Sequence, residues 1–354
     1  MTKVYVGMSG GVDSSLTAAL LKEQGYDVTG VYMKNWTQDL PGMICPWADD
    51  LADAKRVAVQ LGIEFKVFDF EAEYKQKVVN YMIDEYKLGR TPNPDIMCNQ
   101  EVKFSLFLET ALEDGAEMIA TGHYARVEHT TREGKDIGVL KQAVDANKDQ
   151  TYFLYRVTEA ALAKTLFPLG EFTKPEVREM AKERGLYTAG KKDSQGICFV
   201  GQIGIREFLG QYVSQVPGAI IDKRTGEKLG MHDGAIFYTL GQRHGLELGG
   251  GLPYYVVGKD MEKNEVYVTT DLNDEQLWKH EVTLQSTHWI NEAPTDGAYE
   301  IRVRHRAPLV TAQLMIGDET RVRLENPERA VAAGQSVVIY KNDVCIGGGI
   351  VASF

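Results

Sequence analysis

Cysteine is scarce in this chain. Four occur in 354 residues, Cys45, Cys98, Cys198 and Cys345, and none lies near enough to another to make a CxxC pair. That spacing gives no disulfide framework, and no Cys/His cluster has metal-ligand spacing, so neither a stapled secreted scaffold nor structural zinc is expected. There is no uninterrupted apolar run of 18 residues, which argues against a transmembrane helix. The chain enters a strand at Val4 without the basic segment, apolar core and cleavage site of a signal peptide. A cytoplasmic protein with reduced thiols and no membrane partner is expected. Positive charge is in deficit too: 39 Lys and Arg stand against 50 Asp and Glu, a net charge of −11. This excludes bulk affinity for nucleic acid, but not a nucleic-acid substrate held by a local basic patch. The GxxxxGK[ST] and GxGxxG phosphate motifs are both absent. So are internal repeats and low-complexity linkers.

What is present is a globular composition, 44% apolar and 25% charged, in a chain long enough for two or three domains. Near its start an apolar strand runs into a glycine-rich turn, Gly7-Met8-Ser9-Gly10-Gly11-Val12-Asp13-Ser14, and a helical stretch from Leu16 to Gln24 follows at once. Glycines let successive N–H groups point at one anion, and the helix N-terminus adds its dipole at the same spot. The turn is a phosphate cradle, in which glycine at position 10 leaves room for the phosphate.

The first half alternates strand and helix. Val28–Met33, Phe65–Phe68 and Met118–Thr121 read as strands; Asp49–Leu61, Glu71–Leu88, Lys103–Glu113 and Thr173–Arg184 read as helices. This predicts an α/β domain with a parallel sheet. Ligands sit at the carboxyl ends of such strands, so the glycine loop, Met33 and Gly122 converge on one pocket. After Gly201 glycines and short strands dominate, and from about Val282 apolar and polar residues alternate, the pattern of a small β-barrel or sandwich. The expected division is 1–200, an α/β catalytic domain; 201–274, a small central domain; and 275–354, a C-terminal β-barrel.

Two further segments carry chemistry. In Thr91-Pro92-Asn93-Pro94-Asp95-Ile96-Met97-Cys98-Asn99, two prolines are expected to hold an extended loop that presents a carboxylate and a thiol three residues apart. Lys192 to Phe199 places Cys198 in a polar, glycine-containing stretch. Cysteine is more often buried than reactive, and Cys45 and Cys345 keep that structural default. Arg302-Val303-Arg304-His305-Arg306 and Arg321-Val322-Arg323 read as strands with alternating charge, either a solvated face or a local RNA patch.

SGGVDS after a strand resembles the pyrophosphatase loop of the N-type ATP pyrophosphatases, which split ATP to AMP and pyrophosphate to adenylate an oxygen. Together with GVYMKNW, PNPDIMCN, ATGHYAR, KDQTYFLY, DSQGICFVG, TLGQRHGL and GQSVVIY, it makes essentially the whole chain similar to the bacterial-type tRNA 2-thiouridylases. The resemblance implies an adenine nucleotide alpha hydrolase-like N-terminal domain, a small central domain contacting tRNA and a C-terminal β-barrel. It also implies a reaction: ATP-dependent replacement of the C2 oxygen of the wobble uridine by sulfur in tRNA for Lys, Glu and Gln.

By this resemblance ATP would be bound by Gly7, Met8, Ser9, Gly10, Gly11, Val12, Asp13, Ser14, Met33 and Gly122, with Mg²⁺ accompanying it. Asp13 has two readings, a Mg²⁺ partner or a helix N-cap. Cys198 would carry a persulfide and Cys98 would be the nucleophile that releases its sulfur. Asp95 would handle a proton near the base, or else hold the loop by an Asx-type bond. The target base would meet Asn93, Pro94 and Asp95. Further tRNA contacts map to His123, Lys148, Asp149, Gln150, His305, Arg306 and Gln335. The partners implied are tRNA and a protein that donates persulfide sulfur. A different adenylating enzyme without sulfur transfer, and a module that binds nucleotide without cleaving it, are the alternatives.

Overall fold

The computed structural model describes residues 1–39, 45–192, 204–249 and 251–352; Cys198 and its neighbours lie outside the described residues. Four apolar segments form the strands Lys3–Gly7 (β1), Asp27–Lys34 (β2), Glu64–Asp69 (β3) and Met118–Thr121 (β4). A hairpin follows, Arg126–Arg132 (β5) and Lys135–Lys141 (β6), then the two-residue strand Thr165–Leu166 (β7). The first sheet has the order β3-β2-β1-β4-β7, every pair parallel. Helices Val12–Glu23 and Trp47–Leu61 make the first two crossovers. Val4, Tyr5 and Val6 of β1 are fully buried, as a central strand covered on both faces requires. Strand order reverses at β1, which opens a crevice at the carboxyl ends of β1 and β4. Register brings Gly7 level with Val31 on one side and Thr121 on the other.

Three local expectations are corrected. The segment after Thr91 is not extended throughout: Pro94–Cys98 is helical. Pro94 occupies the first helical turn, where its missing N–H costs nothing. The Asn93 side-chain oxygen caps the turn, accepting from the N–H groups of Asp95 (3.1 Å) and Ile96 (3.3 Å). The helices expected at Glu71–Leu88 and Lys103–Glu113 exist but include π-type turns, at Lys75–Asn80 and Asn99–Leu106. The basic stretch Arg302–Arg306 is not a strand: pairing stops at Arg302, and Arg306 adopts a left-handed φ of 63° in the following turn.

The central part is a four-stranded sheet of Gly218–Asp222 (β8), Lys228–His232 (β9), Tyr255–Asp260 (β10) and Glu265–Thr269 (β11), ordered β10-β11-β8-β9. It encloses Ile220, Tyr238, Val256 and Val266. The last strands are Trp278–Trp289 (β12), Gly297–Arg302 (β13), Val310–Met315 (β14), Thr320–Arg329 (β15), Ser336–Lys341 (β16) and Val344–Val351 (β17). Their order β12-β15-β14-β13-β16-β17 returns to β12 and closes a six-stranded barrel. Alternation does here what it predicts: Val322 and Leu324 of β15 point inward, while Arg321 and Arg323 face solvent and Arg323 meets Glu281 at 3.1 Å.

The barrel does not hang free. β6 pairs with β17 through Lys141 and Val344. The hydroxyl of Tyr152 donates to the Ser336 carbonyl at 2.9 Å, and the Thr91 N–H donates to the Ala333 carbonyl at 2.8 Å. Between the two parts Arg302 Nη1 meets Asp149 Oδ2 at 2.7 Å, their side chains 7% and 1% exposed. Asp149 also accepts from the Thr151 hydroxyl and the Ala143 N–H. A carboxylate this enclosed is a strut of the seam, and its contacts are internal rather than with a tRNA. Removing one partner of a buried pair strands the other charge. Asp149→Ala should therefore lower stability by about 3–5 kcal/mol, and adding Arg302→Met should recover most of the loss, both read by urea denaturation. A loss of about 0–1 kcal/mol, that of an exposed pair, would show that the strut is dispensable.

Candidate functional site

The crevice is shaped first by backbone. After Gly7 the chain turns through Met8 to Gly11 and enters the helix Val12–Glu23, with Gly11 extended at the N-cap position. Gly10 has φ +74°, and a β-carbon there would collide with the carbonyl of Asp50 at the start of the next crossover helix. Glycine at position 10 is therefore required already by its left-handed backbone and by the packing of that helix against the loop. The Ser9 N–H donates to Ser14 Oγ at 3.1 Å, closing the loop on itself. Gly122, just past β4, presses on the same turn, since a β-carbon would stand 2.8 Å from the Ser14 nitrogen and 2.9 Å from the Asp13 carbonyl carbon. The result is a helix N-terminus and a curled loop, both open to the crevice, the geometry that receives anions.

A cavity of about 290 Å³ occupies the crevice. The structure brings together in its wall Gly7, Met8, Ser9, Asp13, Ser14, Met33 and Gly122, from three separate segments. His123 and Gln150, expected to touch tRNA, line the same cavity. Gly10, Gly11 and Val12 lie behind it and shape the loop, Val12 packing against Leu16 and Tyr124 in the core. The sequence carries no local signal for several other lining residues, among them Cys45, Asp50 and Lys103. They arrive through tertiary packing alone.

Asp13 sits in the first helical turn, and the N-cap position belongs to Gly11. Both of its oxygens meet the Lys174 ammonium, at 2.7 and 2.8 Å, and the Tyr124 hydroxyl donates to one of them at 2.9 Å. Lys174 is 8% exposed and starts the helix Lys174–Glu183, so its pairing with Asp13 spans 161 residues. A carboxylate so engaged does not fit the role of ligand in a protein-held metal centre. Among the described residues no group of three or more His, Cys, Asp or Glu side chains is placed to hold a metal ion. His123 stays neutral: burial, and next the Lys103 charge, drive its pKa well below the ordinary imidazole value.

Cys98 ends the helix that Asn93 caps and is 1% exposed; Asp95, in its first turn, is half-buried. Asn99, the next residue, donates from its amide to the Phe153 carbonyl at 3.1 Å, and the Phe153 ring packs at a tilt of 42° against His305, their centroids 4.4 Å apart. The Cys98 helix thus reaches the barrel turn through one aromatic side chain. His305 is pushed down to about 4, chiefly by burial and then by Arg306 and Arg302, so it stands there as a neutral ring. His305 Nδ1 and Gln335 Oε1 are buried with no hydrogen-bond partner among the described residues, while Arg306 is exposed. Lys148 is half-buried in the turn that begins at Asp145. Cys45 packs with its Sγ 3.5 Å from the Trp36 carbonyl and Cys345 is fully buried in β17; burial raises the pKa of both thiols.

Three family models match consecutive parts of the chain: a tRNA methyl transferase HUP domain over residues 2–202, a tRNA methyl transferase PRC-barrel domain over 206–270 and an aminomethyltransferase beta-barrel domain over 279–351. The tRNA-specific 2-thiouridylase MnmA of Bacillus licheniformis is 48% identical over 359 residues, covering 99% of this chain and 95% of that protein. The protein of the same name from Bacillus cytotoxicus is 46% identical over 352 residues, covering 98% and 94%. Among solved structures, a 4-thiouridine synthetase–RNA complex with bound ATP aligns over 59% of this chain and 50% of that one, with a TM-score of 0.37 and 19% identity, too distant to carry an argument about the site. With two relatives of one name matched along nearly their whole length, the chain belongs to the tRNA-specific 2-thiouridylase family.

Proposed function

We propose that this protein is a tRNA-uridine 2-sulfurtransferase: it uses ATP to replace the C2 oxygen of the wobble uridine, position 34 of tRNA for Lys, Glu and Gln, by sulfur. The observation that carries this reading is the identity of 46–48% with named 2-thiouridylases over 98–99% of the chain. The family models are described by methyl transfer. An anion-binding loop at a helix N-terminus suits ATP phosphates better than a methyl donor.

The chemistry asks for such a site. A uracil C2 oxygen is a poor leaving group. Its attack on the α-phosphorus of ATP forms an O2–P bond, breaks the bond to pyrophosphate and turns the oxygen into part of AMP. Negative charge on the transferring group is met by the loop N–H groups and the helix dipole. The outer sulfur of a Cys198 persulfide bonds to C2 and AMP departs with the old oxygen. Attack by Cys98 on the Cys198 sulfur leaves a Cys98–Cys198 disulfide and 2-thiouridine. Asp95 stands to take a proton near the base. Mg²⁺ enters this reading as the ion that accompanies ATP phosphates, with no step assigned to it. The sulfur comes from a persulfide donor protein, and the place of action is the cytoplasm; among the described residues no helix is long and apolar enough to cross a membrane. Asn93, Pro94, His123, Lys148, Gln150, His305, Arg306 and Gln335 are proposed to meet the tRNA, with His305 contributing a ring surface rather than a charge. Asp149 keeps its role in the seam.

The test is a reaction of the purified protein with unmodified tRNA, ATP and a persulfide donor, followed by nucleoside mass spectrometry. Equal amounts of 2-thiouridine and AMP are expected. AMP without thiouridine would favour an adenylating enzyme of another kind, and neither product would overturn the reading.

The cysteines sharpen this. Cys98→Ser and Cys198→Ser should each cut thiolation by roughly 10³-fold or more, as loss of a covalent participant does, while adenylation, read as pyrophosphate release on tRNA, persists. Cys198→Ser should fail to take up labelled sulfur, and Cys98→Ser should take it up without passing it on. Cys45→Ser should leave thiolation largely intact. Cys345→Ser should do so at a cost of about 1–3 kcal/mol for a hydroxyl placed in a dry core. Full thiolation by Cys198→Ser would sink the two-thiol mechanism.

The glycine beyond β4 gives an independent check. Gly122→Ala should reduce AMP formation more than it lowers the melting temperature, because the added carbon displaces the Asp13–Ser14 turn. Unchanged turnover would place the nucleotide elsewhere.

A further inference from the structure

The cavity is short of positive charge. Two of its lining residues are carboxylates, Asp13 and Asp50, and each is matched by a lysine: Lys174 holds Asp13 at 2.7 Å, and Lys191 holds Asp50 at 2.8 Å. Lys103 is the one lysine or arginine among the described residues of the wall. His123 supplies no charge there, being held neutral by burial and by the field of Lys103 itself. A site that takes a triphosphate and stabilises further charge on it needs a cation at its wall, and Lys103 lies in this wall.

The position of Lys103 along the chain bears on the same point. Asn99–Leu106 is π-type, and it starts directly after Cys98. A π-turn joins residue i to residue i+5, so Lys103 follows Cys98 by one turn. In an α-helix the same five steps would swing the lysine about 140° away. Phe104 packs against the His123 ring at 5.7 Å, which steadies this turn at the cavity wall. One helix therefore carries the candidate sulfur-handling thiol and, a turn later, the cation of the nucleotide cavity.

We propose that Lys103 is a catalytic residue of adenylyl transfer, its ammonium lying against the α-phosphate while uridine O2 replaces pyrophosphate there. The O2–P bond forms as the P–O bond to pyrophosphate breaks, the electron pair leaves with pyrophosphate, and the uridine N3 proton passes to Asp95, the acceptor proposed above. The ammonium keeps its proton throughout. Charge on the equatorial phosphate oxygens and on the leaving pyrophosphate grows during this step, so a fixed cation stabilises the transition state more than bound ATP. This inference rests on the adenylating function proposed above.

Lys103→Met and Lys103→Arg, assayed with tRNA, ATP and a persulfide donor by single-turnover pyrophosphate release and steady-state AMP formation, test it. The kcat of Lys103→Met should fall about 10²–10³-fold, the loss typical of one charge-stabilising donor, with a much smaller change in ATP affinity. Lys103→Arg should recover a substantial part. Labelled sulfur uptake on Cys198 and the melting temperature should stay near the parent values in both. A wild-type kcat in Lys103→Met overturns the proposal. So does equal failure of both variants together with lost sulfur uptake or a lowered melting temperature, which would mark Lys103 as packing. A parent protein that releases no pyrophosphate with tRNA would instead overturn the function on which the proposal rests.

Discussion

The close approach of Gly122 to the backbone of Asp13 and Ser14 is the contact on which the cavity depends. Parallel register sets Gly7 and Thr121 level, and the residue after Thr121 must then pass within van der Waals range of the loop after β1. No side chain fits that gap. From this one constraint follow the direction of the helix Val12–Glu23, the position of Asp13, and the wall against which His123 and Gln150 stand. Gly10 performs the matching service on the other side, letting the helix Trp47–Leu61 close over the loop.

A second organising feature is the seam between the first part of the chain and the barrel. Asp149 and Arg302 neutralise each other in a dry interior, Tyr152 and Tyr155 reach Ser336, and Phe153 lies on His305. The segment 149–155 touches three things at once: the cavity at the end of β1 and β4 through Gln150, the Cys98 helix through Phe153, and the barrel through its tyrosines. Position of the barrel relative to the Cys98 helix is therefore set by packing rather than by a linker. That arrangement suits a task in which a long substrate must present one base to one thiol.

Much of this is legible in the sequence, because it is local. Apolar runs mark β1, β2 and β4, the glycines mark the loop, and alternation marks β13 to β17. The capped turn Pro94–Cys98 is local too: Asn followed by Pro is a helix-start signal as much as a breaker, and reading the prolines only as breakers hides the helix. Other features have no local trace. Lys174 meets Asp13 across 161 residues, and Asp149 meets Arg302 across 153. In both cases the pairing comes from the fold, and a charged residue in a polar stretch looks like any solvated one. The same blindness makes Arg302–Arg306 resemble an exposed basic strand, although its first arginine is a core residue and its last lies in a turn.

The span of the seam has a consequence for how the chain is made. Asp149 leaves the ribosome about 150 residues before Arg302, and the hairpin β5–β6 precedes its partner β17 by some two hundred. Contacts this distant in sequence are slow to form, and domains that emerge first fold first. The early part must wait with a carboxylate, three aromatic residues and a sheet edge still facing water. A nascent chain stalled before the barrel would display a sticky, acidic surface. The last strands synthesised are thus also the ones that finish the first domain's interior.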